Sequence, residues 1–185
     1  MPLPPFHTWL PEAHVEASTP GSVLLAGILL KLGVYGLIVF CFNMLPSASF
    51  YFSPIIYTAS VVGAVYSGVV AIRQQDLKRI IAYSSVSHMS VVTMGIFSLQ
   101  TVGLEAGLFQ GISHGFISVA LFCLVGFIYD RFGSRDVQKY SGLARLMPLY
   151  AIFLLFFSLA NLAMPGFSSF VGEFGLLFAL LVKVQ

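Results

Sequence analysis

Long apolar runs at residues 20–42, 52–72, 80–98, 104–129 and 148–184 alternate with short polar breaks. A helix rises about 1.5 Å per residue and a bilayer core is about 30 Å thick, so about twenty apolar residues cross once. Each of the first four runs has that length and predicts a membrane-spanning helix. Pro20 and Pro54 fall in the first turn of their runs, where a missing amide hydrogen is tolerated. Residues 43–51 and 100–103 read as short uncharged loops.

The last run, 148–184, is about 55 Å long as a helix, too long for one straight crossing. No charged turn divides it. Its polar positions are Asn161, the Met164-Pro165-Gly166-Phe167-Ser168-Ser169 break, Glu173 and Lys183. Pro-Gly in mid-run marks a discontinuous helix, tolerated where freed backbone groups line a polar cavity. The reading is a fifth crossing broken at Pro165-Gly166; two short spans joined by a tight turn are the alternative. Residues 1–19 do not follow the pattern. Pro2, Pro4, Pro5 and Pro11 interrupt any regular helix, and Phe6, Trp9 and Leu10 suit the membrane interface. The chain thus divides into an amphipathic leading segment, 1–19, and a transmembrane bundle, 20–185. The fold class is all-α and polytopic.

Composition agrees with that class. Hydrophobic residues make up 58% and charged residues 9%, against about 25% charged in a soluble domain. Mean hydropathy is +0.93. A net charge of +2 argues against nucleic acid as a partner. Cys41 and Cys123 lie in or beside apolar stretches and read as packing residues. The proline- and charge-bearing first twenty residues do not read as a secretory signal. Arg73, Lys78 and Arg79 share one loop, and Arg131, Arg135, Lys139 and Arg145 the loop two crossings later. The loops at 43–51 and 99–103 carry no Lys or Arg, so the positive-inside rule puts the basic loops in the cytoplasm or mitochondrial matrix. Asp76, Lys78 and Arg79 read as a solvated turn.

Against this apolar background a few ionisable residues stand out. Lys31 has six apolar or small residues on either side. A lysine at the centre of a membrane helix costs about 2.5–3.5 kcal/mol on insertion scales, so it needs a partner and a task. His88 follows Ser84 and Ser85 at i+4 and i+3, on one helix face. Gln110, His114 and Ser118 repeat at i, i+4 and i+8, a second polar stripe. Histidine takes up and passes on protons near neutral pH. Glu173 follows the Pro-Gly break by seven residues, where a carboxylate can exchange protons with cavity water. Each of these groups also has a plainer reading, as helix–helix glue or a fixed ion pair. His7, Glu12, His14 and Glu16 match no metal-ligand spacing and read as capping and interface residues. No phosphate loop, dinucleotide fingerprint or cysteine cluster is present. The chain moves something and does not visibly perform redox chemistry.

Several motifs carry a family resemblance. Phe6-His7-Thr8-Trp9-Leu10-Pro11-Glu12-Ala13-His14-Val15-Glu16-Ala17, the stretch from Gly21 to Gly33 around Lys31, and Asp76-Leu77-Lys78-Arg79 leading into Ser84-Ser85-Val86-Ser87-His88-Met89 are three of them. Ser113-His114-Gly115 and Met164-Pro165-Gly166-Phe167-Ser168-Ser169-Phe170-Val171-Gly172-Glu173-Phe174 complete the set. Together they resemble, in order and over almost the whole chain, the antiporter-like proton-conducting subunits of respiratory complex I. The resemblance implies a role map: Lys31 as the central buried lysine, His88 and His114 on the connecting proton path, and Glu173 near the outlet. Ser84, Ser85, Gln110 and Ser118 are expected to support that path.

The resemblance also implies the second inverted repeat of the antiporter-like fold, without the first. The expectation is a fragment, or a split gene whose other polypeptide supplies the first repeat. No cofactor is expected in this chain; NADH, FMN, iron–sulfur clusters and ubiquinone belong to partner subunits. Expected partners are other membrane-arm subunits, including antiporter-like neighbours, and membrane lipids. The expected location is the mitochondrial inner membrane, with a bacterial or thylakoid membrane as the alternative. The rival functions are a subunit of a multi-subunit cation/proton antiporter and a structural piece of the membrane arm that does not pump.

Overall fold

The computed structural model describes residues 2–184, with side chains described through residue 182; Gln185 and the charge of Lys183, the last polar position of the final run, lie outside the described residues and side chains. Every named element among the described residues is a helix. Helix α1 covers Trp9–Glu16. A rod over Thr19–Phe42 follows, α-helical at α2 (Thr19–Leu24) and α3 (Leu30–Gly36) and π-helical at Leu25–Leu29 and Leu37–Phe42. Next come α4 (Pro46–Ile72), α5 (Leu77–Ile96) and α6 (Thr101–Phe132). A 3-10 turn at Val137–Tyr140, α7 (Leu143–Leu146), α8 (Pro148–Asn161) and α9 (Ser168–Val184) complete the described residues. The rod, α4 and α6 are each long and apolar enough to cross a membrane.

The helices run longer than the apolar pattern predicts. Helix α4 begins at Pro46 rather than near residue 52. The predicted 43–51 loop shrinks to a sharp turn at Leu45, because proline suits a first helical turn. Ser49 closes that turn by donating to the Cys41 carbonyl at 2.7 Å and the Leu45 carbonyl at 2.9 Å. Helix α6 runs on to Phe132 and stops at Gly133, whose φ of +66° lies in the left-handed region open to glycine. In the final run α8 ends at Asn161, four residues before the proline. The chain turns through Ala163 (φ 51°) and Gly166 (φ +102°) and re-enters a helix at Ser168. The broken helix is therefore present, and its break is wider than the Pro-Gly pair.

Helix α6 is the core. It packs against the rod, α5, α8 and α9. One cluster of buried side chains joins Leu10, Leu30, Val34, Met89, Phe97 and Leu176. A second joins Ala26, Ile81, Leu121, Phe122, Val125 and Ala160. The opposite faces of the rod and α4 show Leu24, Ile28, Phe50, Ile55, Val65 and Val69, as helices facing hydrocarbon do. Leu10, read as an interface residue, lies in the core instead, while Phe6 and Trp9 are exposed.

The two basic loops meet. Leu77 N donates to Arg135 O and Val137 N to Gln75 O, each at 3.0 Å. They therefore lie at the same end of the bundle, as the charge pattern requires. Lys78 departs from the sequence reading: it is 2% exposed and not solvated. Its ammonium donates to the Ala17 carbonyl at 2.8 Å, because the carbonyls at the end of α1 have no helical partner and attract a cation.

Candidate functional site

Four helices bring the predicted site residues into one line. The rod supplies Lys31, α6 His114, α5 His88 and α9 Glu173. Lys31 reaches backward along its own rod, where Nζ donates to the Ala26 carbonyl at the π-turn. It also lies 3.1 Å from His114 Nδ1. When Lys31 is charged its ammonium donates, so Nδ1 accepts and a neutral His114 carries its hydrogen on Nε2. Gly115 makes the approach possible. A methyl there would lie 3.3 Å from both the Gly27 carbonyl oxygen and Lys31 Cε.

The His114 and His88 rings are 5.6 Å apart between centroids and inclined at 47°. The rings are in contact without a hydrogen bond between them, and His114 Nε2 is buried without a partner. His88 Nδ1 lies 2.7 Å from Glu173 Oε1, and Gln110 Nε2 donates to the same oxygen at 3.2 Å. The middle of the line is closed, with His114 3% and Gln110 1% exposed, while His88 and Glu173 are partly exposed and Lys31 borders a cleft with Val23, Ile28 and Phe116. Lys31 with His114, and His88 with Glu173, can each exchange or share a proton, and a change of charge at one group is felt at the next in a low-dielectric interior.

The supporting polar residues divide. Gln110 joins the line. Ser118 turns to the Gly115 carbonyl of its own helix at 3.1 Å. Ser84 donates to Ile81 O at 2.9 Å and faces Asn161 Nδ2 at 3.4 Å. The Ser85 hydroxyl is buried without a partner. Two links at the break were not foreseen: Ser113 and Ser168 hydroxyls lie 2.7 Å apart, and Ser169 bonds the Ala160 carbonyl. They tie α6 and α8 to the start of α9 and so fix where Glu173 stands. Their sequence signals were the placement of Ser113 next to His114 and of Ser168 and Ser169 in the polar break.

His14 is the other residue the sequence undervalued. It is fully buried, stacked on Phe122 at 4.7 Å, and both its ring nitrogens lack a partner. Burial, then the charges of Lys78 and Lys31, hold its imidazole down at about 4 from an ordinary value of 6.5. The neutral form is thus the one the fold accepts. Its contribution is complete above the ordinary value and is lost as pH falls from there toward about 4. Amide protection factors in Trp9–Glu16, corrected for the intrinsic pH dependence of exchange, are therefore expected to fall on acidification through that window, and those of the His14→Phe variant to hold steady. Unchanged protection factors in the native protein would refute this account of His14.

Known proteins resemble this chain in sequence and fold. The family described as NADH:quinone oxidoreductase/Mrp antiporter, transmembrane, matches residues 1–184. NADH-ubiquinone oxidoreductase chain 4 of Chondrus crispus is 55% identical over 173 residues, 94% of this chain and 35% of that protein. The chain thus spans about a third of the length of the curated relatives it matches. A chain in the structure of respiratory complex I from Thermus thermophilus with bound NADH superposes with a TM-score of 0.92 at 33% identity, covering 98% of this chain and 39% of that one. A chain of the Mrp complex from Dietzia sp. DQ12-45-1b also gives 0.92, at 25% identity, with 99% and 34% covered. With the family model matching nearly every residue, the chain belongs to the NADH:quinone oxidoreductase/Mrp antiporter transmembrane family.

Proposed function

We propose that this chain forms part of a proton channel in the membrane arm of an NADH:quinone oxidoreductase. The observation that carries this is the succession Lys31–His114–His88–Glu173, with contacts of 3.1 and 2.7 Å at its two ends and the two imidazole rings 5.6 Å apart between them. Four titratable groups brought together from four helices, with His114 buried among them, are what proton transfer through a membrane interior needs. Electron transfer takes place elsewhere in the complex, where partner subunits bind NADH, FMN, iron–sulfur clusters and ubiquinone. Its partners are other membrane-arm subunits, and the location is the mitochondrial inner membrane or its bacterial counterpart.

In this reading Lys31 alternates between charged and neutral as charge arrives from a neighbouring unit. When it is charged it holds His114 as acceptor; when neutral it lets His114 take up a proton. His88 and Glu173 then share that proton and release it from the α9 side. The likeness to an Mrp complex chain supports a second reading, a cation/proton antiporter subunit with the same line and no NADH-oxidising partner.

The test is proton translocation in vesicles of native membranes. Lys31→Ala is expected to cut protons moved per electron by about tenfold or more while the complex still assembles. Full pumping by that variant would overturn the proposal, and assembly failure in Lys31→Ala and Glu173→Gln alike would favour a structural role. Mass spectrometry of the purified complex separates the two readings. Flavin and iron–sulfur subunits mark the oxidoreductase, and small membrane subunits alone mark the antiporter.

A further inference from the structure

The line just described leaves a second buried cation without a task. Lys78 stands in the first turn of α5, at the basic-loop end of the bundle, and is 2% exposed. No carboxylate among the described residues pairs with it within 4.0 Å. Its ammonium donates to the Ala17 carbonyl at 2.8 Å and to the Ser22 hydroxyl at 3.4 Å. Burying a lysine costs several kcal/mol of hydration before any gain, so a lysine kept there has work beyond filling space.

Its surroundings point two ways, outward and inward. Outward lies a cleft of about 420 Å³ bordered by Glu16, Ser18, Lys78, Tyr129, Asp130 and Arg135. Glu16 and Asp130 are exposed, so the cleft carries both water and carboxylates to the lysine. Inward, Ser22 donates to the His14 carbonyl at 3.0 Å. The His14 imidazole beyond it is buried with both nitrogens unpartnered, and it feels the charges of both Lys78 and Lys31. Ser22 and Lys31 lie on the same rod, about 13 Å apart at helical rise. The groups that face Lys78 are Asp76 at the N-cap of α5, Arg135 and Asp130 from the end of α6 and its loop, and Glu16 from α1.

We infer that Lys78 is the proton-uptake residue at the basic-loop end, feeding the line through Ser22, His14 and interior water to Lys31. This rests on the proton-conducting reading above. One proton moves per cycle. An N–H bond of the Lys78 ammonium breaks as the proton passes inward, leaving a neutral amine, and water in the cleft returns a proton to it. The neutral His14 imidazole relays by accepting on one nitrogen and releasing from the other.

The plainer role is a clamp. Lys78 and Arg135 both donate to carbonyls at the end of α1, Arg135 to Val15 O at 2.7 Å. Arginine separates the two roles, since a guanidinium keeps the charge and the donors but does not release a proton. In the assembled complex, Lys78→Arg is expected to keep NADH oxidation in uncoupled vesicles near normal and to lower protons translocated per electron by about tenfold. Normal pumping by Lys78→Arg would overturn the inference and leave Lys78 a clamp. If that variant fails to assemble, Ser22→Ala decides, because it removes only a hydroxyl. Pumping lowered by about half or more supports the inference, and unchanged pumping overturns it. Glu173→Gln is measured alongside. Full pumping by Glu173→Gln would sink the proton-conducting reading itself, whereas loss there with normal Lys78→Arg would sink the inference alone.

Discussion

Replacing His114 with alanine is expected to stop proton translocation almost completely, by on the order of 10²-fold, while electron transfer in uncoupled membranes persists. His114 is the one side chain in contact with Lys31 on one side and His88 on the other, at 3.1 Å and at a ring separation of 5.6 Å. Its removal leaves the Lys31 ammonium with only the Ala26 carbonyl, in surroundings where an unpaired charge is expensive. The site also loses the group that bridges the rod and α5. His114→Gln sharpens the test. Glutamine keeps a polar atom near Lys31 and fills most of the volume, but it does not take up a proton in this range. Both variants are therefore expected to lose pumping, and only alanine to lower the thermal stability of the complex. Pumping retained in His114→Gln would mean that hydrogen bonding at this position suffices and that no proton passes through the ring.

How far this site can be read from sequence depends on which forces leave a mark on composition. A charged or titratable residue inside an apolar run is conspicuous because hydrocarbon penalises it. Lys31, His88, His114 and Glu173 could all be picked out that way, and all four lie on the line. The pairing of His88 with Glu173 could not, since 85 residues separate them and nothing local links them. Ser118 shows the opposite failure. It shares a helix face with His114, yet its hydroxyl is satisfied by its own backbone at Gly115, as hydroxyls in helices commonly are. Lys78 was misread because a basic residue in a charged turn is usually solvated. Its burial depends on the end of α1 folding back over it, through Ala17 and Val15, which no periodicity encodes. The early start of α4 at Pro46 has a similar origin. A proline reads as a break in sequence, yet it is also a good first residue for a helix.

Gly172→Ala is expected to do more damage than any other single methyl group added to α9. Helices α6 and α9 touch backbone to side chain at this point. A methyl on residue 172 would lie 2.8 Å from Gln110 Cβ and 3.0 Å from Gln110 Cα. The Cα belongs to the middle of a long buried helix and does not yield, so α9 must shift instead. Overpacking of this kind costs about 1–3 kcal/mol. The next residue is Glu173, whose carboxylate depends on Gln110 at 3.2 Å and His88 at 2.7 Å. A displacement of even an ångström would lengthen both contacts past useful hydrogen-bonding range. The expected result is a lower melting temperature of the purified complex together with a fall of about tenfold in proton translocation. Gly111→Ala, one residue beyond Gln110, is the control. A methyl there meets nothing within 4 Å, and alanine is favoured over glycine in a helix by about 0.5–1 kcal/mol. That variant is expected to be neutral or slightly stabilising and to pump normally. Equal behaviour of the two variants would show that the close approach at Gly172 does not set the position of Glu173.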